Sequence, residues 1–214
     1  LDAAGKGDVN AVAKRKSAAA DGGDITDILP NVSSTEIGSE WSFPAIKKVL
    51  QQVWIPAVSV WGVFVVSLST FPAITVNMVS TQKCDSSERF YNDQFVPFLY
   101  VMFNLGDFSG RWIAQTFPPL FNAQNLWKAS LGRVILVPIY LLCNIDGNQL
   151  VNVFTGDAWA ILLTLFLGLS NGYVCSLAML FGPGLVNVKQ ASLAGTIMIS
   201  SLTFGLLCGA LLSL

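Results

Sequence analysis

The sequence FVPFLYVMFNLGDFSGRWIAQTF, residues 95–117, has the length of a membrane-spanning helix but carries two charged residues, Asp107 and Arg111. An ionisable side chain inside a bilayer costs about 3 kcal/mol or more unless it is paired, hydrated or turned into a bundle. Because the two residues are four positions apart, their side chains lie one turn apart on one helix face. The spacing therefore predicts an ion pair, or a joint grip on one ligand.

The composition around this segment is that of an integral membrane protein. The 214 residues are 53% hydrophobic and 12% charged, whereas a soluble domain carries about 25% charged residues. The mean hydropathy is +0.58. Four further apolar runs cover residues 53–76, 126–145, 159–181 and 191–214. With residues 95–117 they predict an all-α polytopic transmembrane bundle of five helices within residues 51–214.

The first fifty residues have a different character. They are rich in Ala, Gly, Asp and Lys, and residues 1–40 contain too few large apolar side chains to offset the entropy of an ordered chain. We expect residues 1–50 to form a disordered linker. The sequence opens without an initiator methionine or a signal peptide, as the interior of a longer protein would.

Several classes of function are disfavoured by what the sequence contains. It has no histidine, which excludes a histidine-based catalytic triad, metal site or proton relay. One intramembrane carboxylate without a paired acid or a cysteine partner gives poor material for acid–base or nucleophilic chemistry. We therefore expect no enzyme activity, no metal and no cofactor. No basic patch indicates a nucleic-acid partner.

The lysines and arginines predict the orientation in the membrane. If residues 1–50 are cytoplasmic, the basic residues on that side are Lys6, Lys14, Arg15, Lys16, Lys47, Lys48, Lys128, Arg133 and Lys189. Lys83 and Arg89 then lie on the opposite side. Positive residues concentrate on the cytoplasmic side of membrane proteins, so we expect a cytoplasmic N-terminal segment and an extracellular C-terminus.

Three of the other polar residues within the apolar runs are candidates for the same site. Asn104 precedes Asp107 by about one turn and extends its polar face. Arg133 lies at a depth similar to that of Arg111, which suggests that it pairs with Asp107 across a helix interface and frees Arg111 for a substrate. Asn171, a lone amide in the fourth run, is either a second polar site or a hydrogen-bonding link between helices.

Glycine and proline predict how the helices pack and bend. Glycines recur at i and i+4 in three runs, as Gly106/Gly110, Gly168/Gly172 and Gly205/Gly209. Small residues at this spacing let helix backbones approach closely. Pro72, near the far end of the first run, removes a backbone hydrogen bond and is predicted to kink that helix.

Five segments closely resemble one known family, the equilibrative nucleoside transporters, in its C-terminal half. They are FPAIT (71–75), FNLGDFSGRW (103–112), RVILVPIYLLCN (133–144), LSNGYVCSLAMLFGP (169–183) and AGTIMISSLTFGLLCGALLS (194–213). The resemblance covers nearly everything from residue 53. It implies that the five runs are helices seven to eleven of eleven and that residues 1–50 end the central cytoplasmic loop. It also implies that the fold is half of a major-facilitator-like carrier.

The resemblance also implies a set of substrate-binding residues. Asp107 and Arg111 match positions that line the nucleoside site, and Asn104 matches a further polar position there. Phe71 and Leu206 match residues that line the cavity. The chemistry is suitable, since a carboxylate accepts from ribose hydroxyls and a guanidinium donates to a base edge. Apolar side chains would cover the faces of the base.

The function implied is facilitative transport of purine or pyrimidine nucleosides, with nucleobases as a further substrate class, across the plasma membrane by alternating access. The partners are then the nucleoside, the lipid bilayer and a six-helix half that this chain lacks. Two alternatives stay open. Asp107 and Arg111 could only hold helices together in a structural or regulatory membrane protein, or Asp107 could couple protons to nucleoside or nucleobase uptake.

Overall fold

The structure, a computed structural model, describes residues 42–81, 90–143 and 156–213. Within them the chain forms six α-helices: α1 (Phe43–Thr70), α2 (Phe95–Thr116), α3 (Leu126–Gly132), α4 (Leu136–Leu141), α5 (Asp157–Gly184) and α6 (Ala191–Leu212). Short 3-10 helices cover Thr75–Asn77, Arg133–Ile135 and Val188–Gln190, and a π-helical turn covers Phe90–Gln94. The fold is an all-α transmembrane helix bundle, as predicted.

Helix α1 begins ten residues before the apolar run that predicted it. Ser42 has the extended backbone of an N-cap residue, and a proline in the first turn suits a helix start. Lys47 and Lys48 are exposed on this part of the helix, whereas Val49 is fully buried. The extension is amphipathic, so hydropathy alone does not detect it. The predicted linker otherwise falls on residues 1–41, outside the described residues.

Pro72, the predicted kink, lies beyond the end of α1. The helix ends at Thr70, and Phe71 has extended backbone angles while its N–H donates to the carbonyl oxygen of Ser67 at 2.7 Å. A residue before proline is disfavoured from helical angles, so the chain leaves the helix there. The proline inside α1 is the buried Pro56.

The third apolar run is broken rather than continuous. It consists of α3, the 3-10 turn Arg133–Ile135 and α4. Pro138, in α4, has no N–H to donate to the carbonyl one turn earlier, which favours a tighter turn before it. The predicted end of this run, at residue 145, lies outside the described residues. Arg133 is the first residue of this 3-10 turn.

Three described helical segments are long and apolar enough to cross a membrane: Phe43–Asn77, Asp157–Gly184 and Val188–Leu212. Helix α2 has 22 residues, so its length of about 33 Å is sufficient to cross a membrane. Its polar residues at positions 104, 107 and 111 lower its hydropathy. The arrangement of five spans stays a prediction.

Helix α5 lies between α2 and α1. Helix α2 packs along one side of α5, and α1 packs against both α5 and α6. Apolar clusters fill these interfaces, one of them around Val60, Leu177 and Met198 and another around Leu99 and Leu167. The broken third segment closes the bundle by packing α3 against α1.

The glycine pairs confirm the predicted close packing. A Cβ on Gly110 would overlap the Leu169 carbonyl of α5, and a Cβ on Gly172 would overlap the Asp107 carbonyl of α2. Backbones this close allow Cα–H···O contacts between helices. The interface therefore fixes Asp107 against one turn of α5. Gly205 and Gly209 make the equivalent approach from α6 to α1, where added Cβ atoms would lie 2.7 Å from the Trp61 carbonyl oxygen and 2.8 Å from the Leu68 Cβ.

Candidate functional site

The centre of the candidate site is the ion pair on α2. The Arg111 Nε–H donates to Asp107 Oδ2 at 2.8 Å. The Arg111 side chain is 44% exposed and that of Asp107 is 20% exposed. Arg111 therefore lies on an open face, while Asp107 lies between that face and the helix interface. The four-residue spacing in the sequence predicted this pair.

The second oxygen of Asp107 is bound from across the interface. The Asn171 amide of α5 donates from Nδ2 to Asp107 Oδ1 at 2.7 Å. The neighbouring Gly172 allows this approach, because a side chain there would force α5 away from α2. Both carboxylate oxygens thus accept a hydrogen bond, one from each side.

Arg133 reaches the same centre from the 3-10 turn in the third segment. Its side chain is buried, 3% exposed, and its Nη2 donates to Ser67 Oγ of α1 at 2.8 Å and to the Leu167 carbonyl at 3.2 Å. Its Nη1 donates to Asn171 Oδ1 at 3.3 Å, and Ser67 Oγ donates to the same oxygen at 2.6 Å. Four segments of the bundle therefore meet in one polar network.

The predicted direct pair between Arg133 and Asp107 does not form. The similar depths of the two arginines led to the hypothesis that Arg133 pairs with Asp107 and leaves Arg111 free, but the Asn171 amide of α5 lies between Arg133 and the carboxylate. The amide of Asn171 fills the gap and bonds to each. Consequently Arg111, not Arg133, is the ion-pair partner of Asp107.

The other sequence-derived candidates lie at different distances from this centre. Asn104 is exposed on α2 and its Nδ2 donates to the Tyr100 carbonyl of its own helix at 2.8 Å. Phe71 is 8% exposed, and its ring stacks on Phe103 with centroids 4.2 Å apart and planes at 9°. Leu206 is half-buried on α6, and no described contact joins it to Asp107.

Sequence reasoning missed two residues that the structure brings to the site. Ser67 is a hydroxyl within an apolar run, where serine commonly bonds to its own helix, so no sequence signal distinguishes it. Phe103 lies one turn before Asp107 on α2, and its aromatic partner Phe71 comes from a different segment. Both contacts cross helix interfaces that no periodicity along one helix can show.

A separate crevice of about 580 Å³ opens between α2, the third segment and α5. Its lining is mostly apolar and includes Phe121, Leu136, Phe166 and Leu169. Arg133 also lines it, but the terminal nitrogens of that residue are committed to the network. The crevice is better suited to lipid chains than to a hydroxylated ligand.

The network has unused capacity on its open side. It contains two arginines and one carboxylate, so its formal charge is positive. Arg111 gives its Nε–H to Asp107, and among the described residues its two terminal nitrogens have no partner. Those nitrogens are available to a ligand that offers hydrogen-bond acceptors.

Charged residues within the membrane-spanning part of an all-α bundle are typical of substrate or ion paths. Comparison with known sequences identifies the family. The profile of the nucleoside transporter family matches residues 8–214. The chain belongs to the nucleoside transporter family.

The relatives are equilibrative nucleoside transporters. Transporter 1 of Homo sapiens is 37% identical over 172 residues, which are 79% of this chain and 37% of that protein. Transporter 2 of Homo sapiens is 33% identical over 172 residues, with the same shares. Transporter 4 of Danio rerio is 26% identical over 172 residues, which are 80% of this chain and 32% of that protein. The chain spans little more than a third of the length of the human relatives.

Proposed function

We propose that the protein carries nucleosides across a membrane by facilitated diffusion and that Asp107 and Arg111 bind the substrate. The observation that carries this proposal is the ion pair on the open face of α2. Family membership supplies the substrate class, because the relatives are named as nucleoside transporters. Transporter relatives also support a protein that is not an enzyme.

The chemistry of a nucleoside complements this pair. Its vicinal ribose hydroxyls can donate to the Asp107 carboxylate, and hydrogen bonds to a charged acceptor are about twice as strong as neutral ones. The terminal nitrogens of Arg111 can donate to a base carbonyl or ring nitrogen. Substrate would thus occupy the remaining lone pairs of the carboxylate and the free donors of the guanidinium.

The neighbouring residues would complete the site in a supporting role. Asn104, exposed one turn away, can turn its amide to a sugar hydroxyl. The Phe71–Phe103 stack gives the site an aromatic edge, but Phe71 itself is covered, so Phe103 is the ring that a base could reach. Leu206, on α6, would line a part of the cavity that is away from α2.

The proposal includes the cellular location of the protein and its topology in the membrane. We assign residues 1–50 to a cytoplasmic segment and residues 51–214 to five spans, on the distribution of lysine and arginine. We further propose that the membrane is the plasma membrane. Alternating exposure of the α2 face to the two sides would then move substrate down its gradient.

Uptake distinguishes a uniporter from a symporter. Transporter-deficient cells expressing the complete open reading frame that contains this chain are given labelled adenosine or uridine, with and without an inward proton gradient. Facilitated diffusion is driven by the nucleoside gradient alone, so uptake should be saturable and unaffected by the proton gradient.

Preloading the cells with unlabelled nucleoside should accelerate uptake, as expected of a carrier whose site alternates. Accumulation driven by the proton gradient would show the symport alternative instead. Surface-expressed protein that takes up neither nucleoside would contradict the proposal.

A further inference from the structure

The reason for a buried arginine in the third segment is not explained by substrate binding. Arg133 is 3% exposed, and no carboxylate among the described residues lies within ion-pair distance of it. A buried charge without compensation costs several kcal/mol. The bundle would avoid that cost with an apolar residue at this position, so the guanidinium needs a role that an apolar side chain could not fill.

One path of hydrogen bonds leads from Arg133 to Asp107. Arg133 Nη2 donates to Ser67 Oγ, and Ser67 Oγ donates to Asn171 Oδ1. Asn171 Nδ2 then donates to Asp107 Oδ1. This series of hydrogen bonds begins at the buried Arg133 guanidinium and ends at the Asp107 carboxylate. Each bond strengthens the next because aligned hydrogen bonds polarise one another.

Asn171 can make these contacts in one amide orientation. Its oxygen faces two donors, Ser67 Oγ and Arg133 Nη1, and its nitrogen faces an acceptor. The reversed amide would set donors against donors and an oxygen against the carboxylate. Leucine, of similar size, could make none of these bonds, and aspartate could not donate.

We propose that Asn171, held by Ser67 and Arg133, is a positioning residue that fixes the Asp107 carboxylate for substrate. It links a cation in the third segment to the anion on α2 without touching the ligand. Arg111 then shares the binding of Asp107 with Asn171, and its terminal nitrogens can bind substrate. The inference rests on the proposed nucleoside transport.

The test measures KM and Vmax of adenosine uptake per surface molecule, using the complete open reading frame. Asn171→Leu should raise KM by about tenfold, the factor for one hydrogen bond to a charged group, with Vmax nearly unchanged. Ser67→Ala should raise KM by about threefold, since the Arg133–Asn171 bond remains. A purely structural residue would change the amount of surface protein and leave KM alone.

The matched control is Ser170→Ala. Ser170 neighbours Asn171, but its hydroxyl bonds to the Leu167 carbonyl of its own helix. KM should stay at the wild-type value. The double variant of Ser67→Ala and Asn171→Leu should have the KM of Asn171→Leu alone, because Ser67 acts through the amide.

Four outcomes separate the positioning role from the transport function. Wild-type uptake with unchanged KM in both Asn171→Leu and Ser67→Ala overturns the positioning role and leaves the transport function intact. Independent, multiplying effects of the two substitutions overturn the relay through Asn171. If Asn171→Leu does not reach the surface, Ser67→Ala decides alone, since it removes one hydroxyl and leaves Arg133 Nη2 bonded to the Leu167 carbonyl. Absence of nucleoside uptake in the wild type rejects the proposed function itself.

Discussion

Asp107 lies within an apolar bundle, where donors approach it from two helices. Arg111 binds one oxygen along α2, and Asn171 binds the other from α5. Charge-assisted hydrogen bonds of this kind offset much of the cost of removing a carboxylate from water. The open side of the pair then remains for a ligand.

Replacement of Arg111 by lysine tests whether the guanidinium serves two partners at once. Nε binds Asp107 while the terminal nitrogens stay free. Lysine keeps the charge but has a single side-chain nitrogen. It therefore cannot bind Asp107 and the substrate together as well as a guanidinium can. Arg111→Lys should raise the KM for adenosine by about tenfold or more.

Ser109→Ala is the control for this substitution. Ser109 is on the same helix, and its hydroxyl bonds to the Leu105 carbonyl at 2.7 Å. A KM for Arg111→Lys equal to that of Ser109→Ala would show that the terminal nitrogens do not contact substrate.

The pair on α2 could be predicted from sequence, whereas its partners could not. Residues four apart on a helix share a face whatever the tertiary structure, so Asp107 and Arg111 followed from periodicity. The contacts of Asn171 and Ser67 depend on which helices are neighbours and on their rotation. No property of either residue alone contains that information.

At the scale of helices, glycines set where polar groups meet. Gly172 lies against the backbone of α2 at Asp107, next to the amide that binds the carboxylate. Sequence predicted close packing at the glycine pairs, but not which helices they join. It also could not place the ends of α1 or the break in the third segment, because caps and tertiary contacts set those.

Substitution of Gly172 by alanine should separate α2 from α5. The added methyl would overlap the Asp107 carbonyl, and overpacking costs about 1–3 kcal/mol. Gly172→Ala should lower the melting temperature of the detergent-solubilised protein, measured by loss of monodispersity on heating.

Gly195→Ala provides the comparison, because nothing lies within 4 Å of the position of its Cβ. Alanine is a better helix former than glycine by about 1 kcal/mol, so this variant should be at least as stable as the wild type. Equal melting temperatures for the two alanine variants would contradict the packing described for α2 and α5.

A contact outside the apolar core ties the segment after α1 to α5. Asp157, the first residue of α5, accepts from Ser80 Oγ at 2.6 Å and from Thr81 N and Thr81 Oγ1 at 2.8 and 3.0 Å. Asp157→Ala removes all three bonds and a negative charge at a helix N-terminus, and should destabilise the protein by about 1–3 kcal/mol.

The measurement is again the melting temperature in detergent. Asp157→Asn is the control, since its amide oxygen retains one acceptor and it should lose less stability than Asp157→Ala. A melting temperature of Asp157→Ala equal to the wild type would show that the 80–81 segment is held by other contacts.

For the whole molecule, the described bundle has an open polar face and covers little more than a third of the length of its human relatives. Composition and apolar runs were sufficient to predict an all-α membrane bundle, because the bilayer permits few backbone structures. The family was apparent from short motifs. The path of the substrate could not be predicted, since it depends on surfaces that face this bundle.

Orientation is tested with epitope tags on intact cells. A tag at the C-terminus should be stained without permeabilisation, and a tag placed within residues 1–50 should be stained only after it, as the positive-inside rule requires. Staining of both tags on the same side would contradict five spans.

The central claim is that the carboxylate of Asp107 belongs to a nucleoside site. The most direct measurement is initial-rate uptake of labelled adenosine by the wild type, Asp107→Asn and Ser109→Ala at matched surface expression, using the complete open reading frame. Asp107→Asn should lose nearly all uptake because an amide is uncharged and has one acceptor oxygen instead of two, while Ser109→Ala should match the wild type. Wild-type uptake in Asp107→Asn would contradict the account.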